Sequence, residues 1–225
     1  MYEDRLSQEG REKRAAVHPG REVPGEDLGR IISLTDGVFA FALTLLVLGL
    51  TVPTVLGGTD VQTSNQLWSA LQGDWQKFLG YAFAFVMISI WWMNHHRTFR
   101  YIQRYDFVLM WLNMMVLLEI AVMPFVLQVY TAYSSTQTAV VLFAFMQVVT
   151  GVTLNVLWRY ASSGHRLVDP SLPAAEIRYF ANRGVLPAVV FVASIGLSFV
   201  NVSWAEYSWV VALAVGRFAR RYGVD

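Results

Sequence analysis

Six ionisable or strongly polar side chains stand inside or beside long apolar stretches of this sequence, and they are the residues whose types could do chemistry. They are Arg30, Asp36, His95, His96, Asn113 and Glu119. Ionisable groups at membrane depth cost free energy, so each is a candidate functional residue. The most informative stretch, RIISLTDGVFAFALTLLVLGL, runs from Arg30 to Leu50 and places a carboxylate just inside an otherwise apolar segment.

Helical geometry offers two interpretations of Asp36, either an ion site in a pore or a structural carboxylate held by a neighbouring helix. At about 100° per residue, Phe41, Thr44 and Leu48 fall within about 60° of one another on one stripe. Asp36 lies about 140° from Phe41 on the same wheel. If the stripe lines a pore, Asp36 points back into the protein and is structural. Such a stripe is also typical of plain helix packing.

His95 and His96 end the second apolar segment side by side. Adjacent helical residues point about 100° apart, and the i, i+4 spacing of zinc helices is absent, so a shared metal ion is not expected. One interpretation is a hydrogen bond from a histidine of this pair to Asp36 on the first segment, and the other is proton sensing near neutral pH. Asn113, at similar depth, could join that network. Nothing in the sequence names a partner for Glu119.

The elements that must position these residues are apolar segments long enough to cross a bilayer. The chain is 55% hydrophobic and only 15% charged, with a mean hydropathy of +0.42, which is typical of a membrane protein. About 20 residues span a bilayer as a helix. We predict six such helices, over residues 31–52, 75–94, 107–130, 138–158, 184–200 and 204–218, with a short helix near 65–72.

The distribution of basic residues predicts the orientation of these helices. Of the 17 Lys and Arg residues, Lys77 alone falls on one side of a six-helix topology, and the other 16 fall on the opposite side. Cytoplasmic loops retain Lys and Arg, so we expect both termini inside the cell. Residues 1–29 are predicted to be a disordered cytosolic tail, residues 30–221 the transmembrane domain, and residues 222–225 a short C-terminal tail. Residues 1–27 lack the apolar core of a signal peptide.

Three motifs of this sequence resemble the transmembrane protein 175 family of potassium channels. The family signature in the first helix is an arginine, three residues, and then Phe-Ser-Asp. Here Arg30 is followed by three residues and then by Leu34, Thr35 and Asp36. The similarity extends to WWMNHHRTFRYIQRYD and WLNMMVLLEIAVMPF, and covers about the first 130 residues. The resemblance implies an all-α, six-helix subunit in a plasma membrane, which assembles as a homotetramer around a pore lined by the first helix.

The resemblance also implies roles for individual residues of this chain. The pore gate would be Phe41, the threonine layer Thr44 and a second apolar ring Leu48. The residues that would brace the pore helix from behind are Arg30, Thr35, Asp36, His96 and Asn113. The sequence departs from the family pattern at the gate, where Ile or Leu is usual. Leu34 and Thr35 also replace Phe and Ser, which keeps a hydroxyl and loses an aromatic ring.

The expected function is therefore a potassium-preferring cation channel with an apolar constriction. No TVGYG-type carbonyl filter is present, so selectivity would come from partial dehydration of the ion. The alternative is a proton-coupled or proton-conducting transporter that uses Asp36, His96 and Glu119. A haem protein or membrane enzyme built on His95 and His96 is the less favoured rival. We expect no enzymatic activity, no cofactor or metal besides the permeant K⁺, and no nucleic acid; the partners would be further copies of this chain and the lipid bilayer.

Overall fold

The computed structural model describes residues 28–55, 57–133 and 135–209, and in these ranges it is helical throughout except for short connections. The predicted N-terminal tail over 1–29, the C-terminal tail over 222–225 and the second half of the sixth predicted helix fall largely or wholly outside the described residues. Residues 202–209 are helical and contain the start of that sixth helix.

Six helices of eight residues or more precede residue 202, and five of them are long and apolar enough to cross a membrane. The six are α1 (Leu28–Leu45, continued by a 3-10 helix over Leu46–Gly49), α2 (Asp60–Gly73), α3 (Trp75–Phe99), α4 (Phe107–Ala132), α5 (Gln137–Ser162) and α6 (Ala174–Ser198). The helix too short and polar to span is α2. The predicted all-helical, multi-pass membrane class is thereby confirmed for the described residues.

The largest departure from the predicted bounds is at α6, which begins ten residues before the predicted start at 184. Its first part carries charged residues, so hydropathy alone does not detect it. Contacts with α5 keep this part helical: the Trp158 indole N–H donates to the Ile177 carbonyl at 3.1 Å, and the Asn155 amide donates to the Ala181 carbonyl at 2.6 Å. Hydropathy therefore located the apolar part of α6 and missed its polar start.

The short helix α2 also begins earlier than predicted, at Asp60 rather than near residue 65. A capping box sets its start, because the Thr59 side chain accepts from the Gln62 backbone N–H while the Gln62 side chain accepts from the Thr59 N–H. Two otherwise orphaned backbone donors are satisfied in this way. None of the residues of α2 is buried.

The bundle is centred on α5, which packs between α4 and α6, while α1 packs against α3 and α4. The densest part of the core is aromatic: the ring of Phe143 on α5 lies 4.9 Å from that of Tyr130 and 4.7 Å from that of Trp209. Offset and tilted aromatic pairs at such distances add to the free energy of simple apolar burial.

Two loops far apart in sequence are joined at one end of the bundle. Ile102 and Val168 form an isolated antiparallel bridge, and the backbone N–H groups of Gln103 and Arg104 both donate to the Leu167 carbonyl. Hydrogen bonds from Ser171, and then from the Gln103 side chain, hold the pKa of Asp169 below its ordinary value. The loop after α3 and the loop after α5 therefore lie at the same end of the bundle.

Candidate functional site

The two sides of α1 differ sharply in exposure, and this difference defines the candidate site. The buried residues on the helix and its 3-10 extension are Leu28, Thr35, Phe39, Ala42 and Leu46. From Thr35 to Leu46 the spacing is i, i+4, i+7 and i+11, which is a single helical stripe. Phe41, Thr44 and Leu48 stand outside that stripe and are exposed on the subunit, with 64% of Phe41 and 71% of Leu48 accessible.

The buried side of α1 is tied to two other helices through Asn113 on α4. The Asn113 amide N–H donates to the Thr35 hydroxyl at 3.1 Å, and that hydroxyl donates to the Ile31 carbonyl. On the other side, the Asn113 amide oxygen lies 2.7 Å from His95 Nε2. An amide oxygen only accepts, so His95 carries a proton on Nε2 and donates it. All three side chains are buried, and together they connect α1, α3 and α4.

Asp36 is held by a tryptophan rather than by the histidine expected from the sequence. The Trp92 indole N–H donates to Asp36 Oδ1 at 2.8 Å, and the ring of Trp92 stacks on that of His96 with centroids 5.3 Å apart. The expectation that a histidine of the next span bonds to Asp36 is therefore wrong. His96 supports the ring that supplies the donor, one turn away on α3. The carboxylate is nevertheless tied to the next spanning helix.

Two further expected site residues lie in unexpected surroundings. Arg30 is exposed in the first turn of α1, one and a half turns before Asp36. Leu48 falls in the 3-10 extension rather than on a continuous α-helix. A 3-10 helix advances about 120° per residue instead of about 100°, so the stripe of Phe41, Thr44 and Leu48 widens from about 60° to about 100°.

An open apolar groove of about 460 Å³ runs beside this stripe. Residues of α1 from Ser33 to Leu45, including Phe41, form most of its wall, and Ala121 of α4 closes it. The groove has little polar lining. The exposed side of α1 is thus a concave apolar surface that continues from Phe41 toward α4.

Sequence reasoning named His95 as a candidate but did not place it among the residues that brace α1, and it missed Trp92. One signal for the bracing role of His95 was present. Ile88, Trp91, His95 and Phe99 are all buried and follow the i, i+3, i+7, i+11 spacing of one helix face. His96 falls outside that face and is exposed. Trp92 carried no such signal, because tryptophans near span ends are also typical of the membrane interface.

The fold and the site define a class of protein: a multi-pass helical membrane protein whose first helix is anchored by polar residues on one side and exposed on the other. Residues 30–124 match the family model described as the endosomal/lysosomal potassium channel TMEM175. A potassium channel of Streptomyces collinus is 32% identical over 77% of this chain and 83% of its own length. The chain therefore belongs to the TMEM175 family, a family of ion channels rather than enzymes.

Two other similar proteins extend this result. A homologue, from Chamaesiphon minutus, of the lysosomal potassium-selective channel TMEM175 has a crystal structure that superposes with a TM-score of 0.69, at 25% identity, over 85% of this chain and 97% of that one. The human endosomal/lysosomal proton channel TMEM175 is 24% identical over 92% of this chain. This chain spans only 44% of the human protein.

Proposed function

We propose that this chain forms a potassium-preferring cation channel whose pore is lined by α1 of several copies. The observation that carries the proposal is the asymmetry of α1, which is buried on one side and exposed at Phe41, Thr44 and Leu48 on the other. Buried hydrogen bonds among Thr35, Asn113 and His95 fix the rotation of α1, so the same exposed side of every copy would face the axis. The names of the bacterial relatives, which are potassium channels, support the same function.

The ring that Phe41 forms in such an assembly would be the narrowest apolar constriction. Symmetry places the same residue of each copy at the same height around the axis. A ring of apolar side chains gates by excluding water, and it selects among ions by the cost of removing their hydration shells. Removing water from K⁺ costs less than from Na⁺, so the preference for K⁺ would be modest.

Thr44 would offer the polar contact between two apolar rings. Its hydroxyl donates to the Phe41 carbonyl at 2.8 Å, which leaves the oxygen lone pairs turned away from the backbone and available to a cation. Leu48 would form the second apolar ring. The rotation of α1 would be fixed by Thr35, Asp36 and Asn113, with His96 stacked behind Trp92. Arg30 would mark the basic end of this helix.

The assembly that fits this chain best is a homotetramer in the plasma membrane with both termini in the cytoplasm. A single set of spans supplies one α1, so several copies are needed to surround an axis. The basic residues after α3 and after α5 lie at one joined end of the bundle, which is the side that retains Lys and Arg. The apolar groove beside Phe41 would receive a neighbouring subunit.

The test is a reversal potential measured in a planar bilayer with K⁺ on one side and Na⁺ on the other. We expect a shift toward the K⁺ equilibrium potential that shrinks in Thr44→Ala. Thr63→Ala, on α2, is the matched control and should leave the potential unchanged. A correctly assembled protein that carries no current, or a Thr44→Ala variant with an unaltered preference, would contradict the proposal or the role of Thr44 respectively.

Proton permeation through the same pore is a second candidate, because animal relatives are named proton channels. The contacts of Asp36, His96 and Glu119, which the sequence suggested as a proton relay, do not support this second candidate. In the described part of the chain Asp36 bonds to Trp92, His96 stacks on Trp92, and Glu119 bonds to Thr153. A pH gradient imposed across the same bilayer distinguishes the two permeant ions.

A further inference from the structure

A second polar cluster lies inside the bundle, between α4 and α5 and apart from α1. The Thr153 hydroxyl donates to Glu119 Oε1 at 2.7 Å. The other carboxyl oxygen, Oε2, is buried and has no hydrogen-bond partner among the described residues, and the same is true of the Thr150 hydroxyl. Glu119 is near the middle of α4, so its carboxyl lies deep in the membrane-spanning part.

Among the residues that the structure describes on α4, α5 and α6, no charged side chain stands where it could compensate an ionised Glu119. It is the only ionisable residue of α4 before Tyr130, and α5 has none until Arg159, six residues and about 9 Å beyond Thr153. The charged residues of α6 all lie in its first ten positions. An unpaired carboxylate at this depth is costly in free energy.

On α1 and α3, the two titratable groups of the anchor beside Asn113 and Trp92 are engaged with those residues. His95 of α3 bonds to Asn113, which lies six residues, or about 9 Å, before Glu119 on α4. Asp36 of α1 bonds to Trp92 and is itself acidic. Neither supplies a positive charge to the Glu119 carboxyl.

A metal ion fits the cluster poorly. The two carboxyl oxygens and the two threonine hydroxyls provide only four ligands, whereas hard cations take about six or more oxygens. Among the described residues, no three His, Cys, Asp or Glu side chains come together to hold a metal ion. A single proton, by contrast, can satisfy both orphaned atoms. Thr150 lies beside the Glu119 carboxyl, nearly one turn before Thr153 on α5, and an O–H on Oε2 can donate to its oxygen.

We propose that Glu119, Thr150 and Thr153 form a proton-binding site inside the bundle, in which Glu119 is a neutral carboxylic acid that accepts from Thr153 and donates to Thr150. Proton binding converts the carboxylate to the acid, with water as the source of the proton, and no other bond changes. The site is separate from the exposed side of α1, so it stands whether or not α1 lines a pore.

Infrared spectroscopy of the purified, reconstituted protein at pH 7 tests this site. A protonated carboxyl has a C=O stretch above the amide bands, where ionised carboxylates do not absorb. We expect one such band, lost in Glu119→Gln and kept in the controls Glu176→Gln, which is exposed, and Glu206→Gln, which bonds to Tyr130. Thr150→Val should move the band to higher wavenumber, because the acid loses its acceptor.

Two results would overturn the proposal. One is a spectrum without an acid band that depends on Glu119, which means that the carboxyl is ionised. The other is an acid band that appears only after K⁺ and Na⁺ are removed, which means that the site holds a metal ion. If Glu119→Gln does not assemble, ¹³C-carboxyl-labelled glutamate in a Glu176→Gln, Glu206→Gln background assigns the band instead, because Glu119 is then the one glutamate left among the described residues. A band that shifts with the label supports Glu119, and a band that does not shift overturns the proposal.

Discussion

Phe39 and Phe41 are the same residue type, two positions apart on one helix, and they lie in opposite environments. Phe39 is 1% exposed and packs near His95, whereas Phe41 is 64% exposed. Both sides of α1 are apolar, so hydrophobicity does not distinguish them. The hydroxyl of Thr35 does, because its hydrogen bond to Asn113 fixes which side faces the bundle. The contrast shows that polar anchors, rather than apolar content, set the rotation of this helix.

The largest expected effect comes from truncating the two phenylalanines in turn. Phe39→Ala removes a fully buried ring and should lower the free energy of unfolding by about 3–5 kcal/mol. Phe41→Ala should change it by less than about 1 kcal/mol, because an exposed ring loses little burial, and should instead raise ion flux in liposomes. Unfolding in detergent measures the stability of the two variants, and ion flux in liposomes measures their conduction. Equal destabilisation by both variants would contradict the two-sided description of α1.

Breaking the anchor should have the next largest effect. Asn113→Leu leaves the buried His95 N–H without its acceptor and releases Thr35, so we expect a loss of about 2 kcal/mol in unfolding free energy. The matched control is Asn182→Leu, an exposed position on α6, which should lie within about 0.5 kcal/mol of the parent. Thermal unfolding in detergent compares them. An Asn113 variant as stable as the control would mean that the network does not hold α1.

Double-mutant cycles distinguish whether Trp92 or His96 is the partner of Asp36. Trp92→Phe keeps an aromatic ring and removes the N–H that Asp36 accepts, so Asp36→Asn and Trp92→Phe should be coupled by about 1–2 kcal/mol. The corresponding cycle of Asp36→Asn with His96→Ala should give a coupling below about 0.5 kcal/mol. A larger coupling energy with His96→Ala than with Trp92→Phe would instead identify His96 as the partner of the Asp36 carboxylate.

The smallest effect is expected away from α1, at the joined loops. The pKa of Asp169 is lowered in the folded protein from its ordinary value of 3.8, so its contribution to stability is complete above about pH 4 and is lost as the pH falls through the lowered pKa. Asp169→Asn should lower stability slightly at pH 7, and the difference between variant and parent should shrink as the pH falls toward 3. Unfolding midpoints between pH 3 and pH 7 measure it; an unchanged pH profile in the variant would show that the carboxylate contributes nothing.

The sequence predicted the membrane class and five of the helices because apolar length is a property of local composition. It also grouped Phe41, Thr44 and Leu48, because they share a helical spacing. It did not predict the 3-10 turn that carries Leu48, since nothing in LVLG differs from an ordinary helix end. The prediction of a histidine as the partner of Asp36 was wrong for a related reason. A donor on another helix depends on the register between helices, which composition does not encode.

The bridge between the loops after α3 and after α5 has a mechanical consequence. One carbonyl, that of Leu167, accepts from two successive backbone N–H groups, so the chain from Gln103 to Leu167 is a closed loop. The α3–α4 hairpin and the α5–α6 hairpin are fastened together at that end. Separating the two hairpins at this end requires breaking both hydrogen bonds to Leu167. At the opposite end, the contact of Tyr130 with Phe143 joins α4 to α5, so the two hairpins are held at both ends.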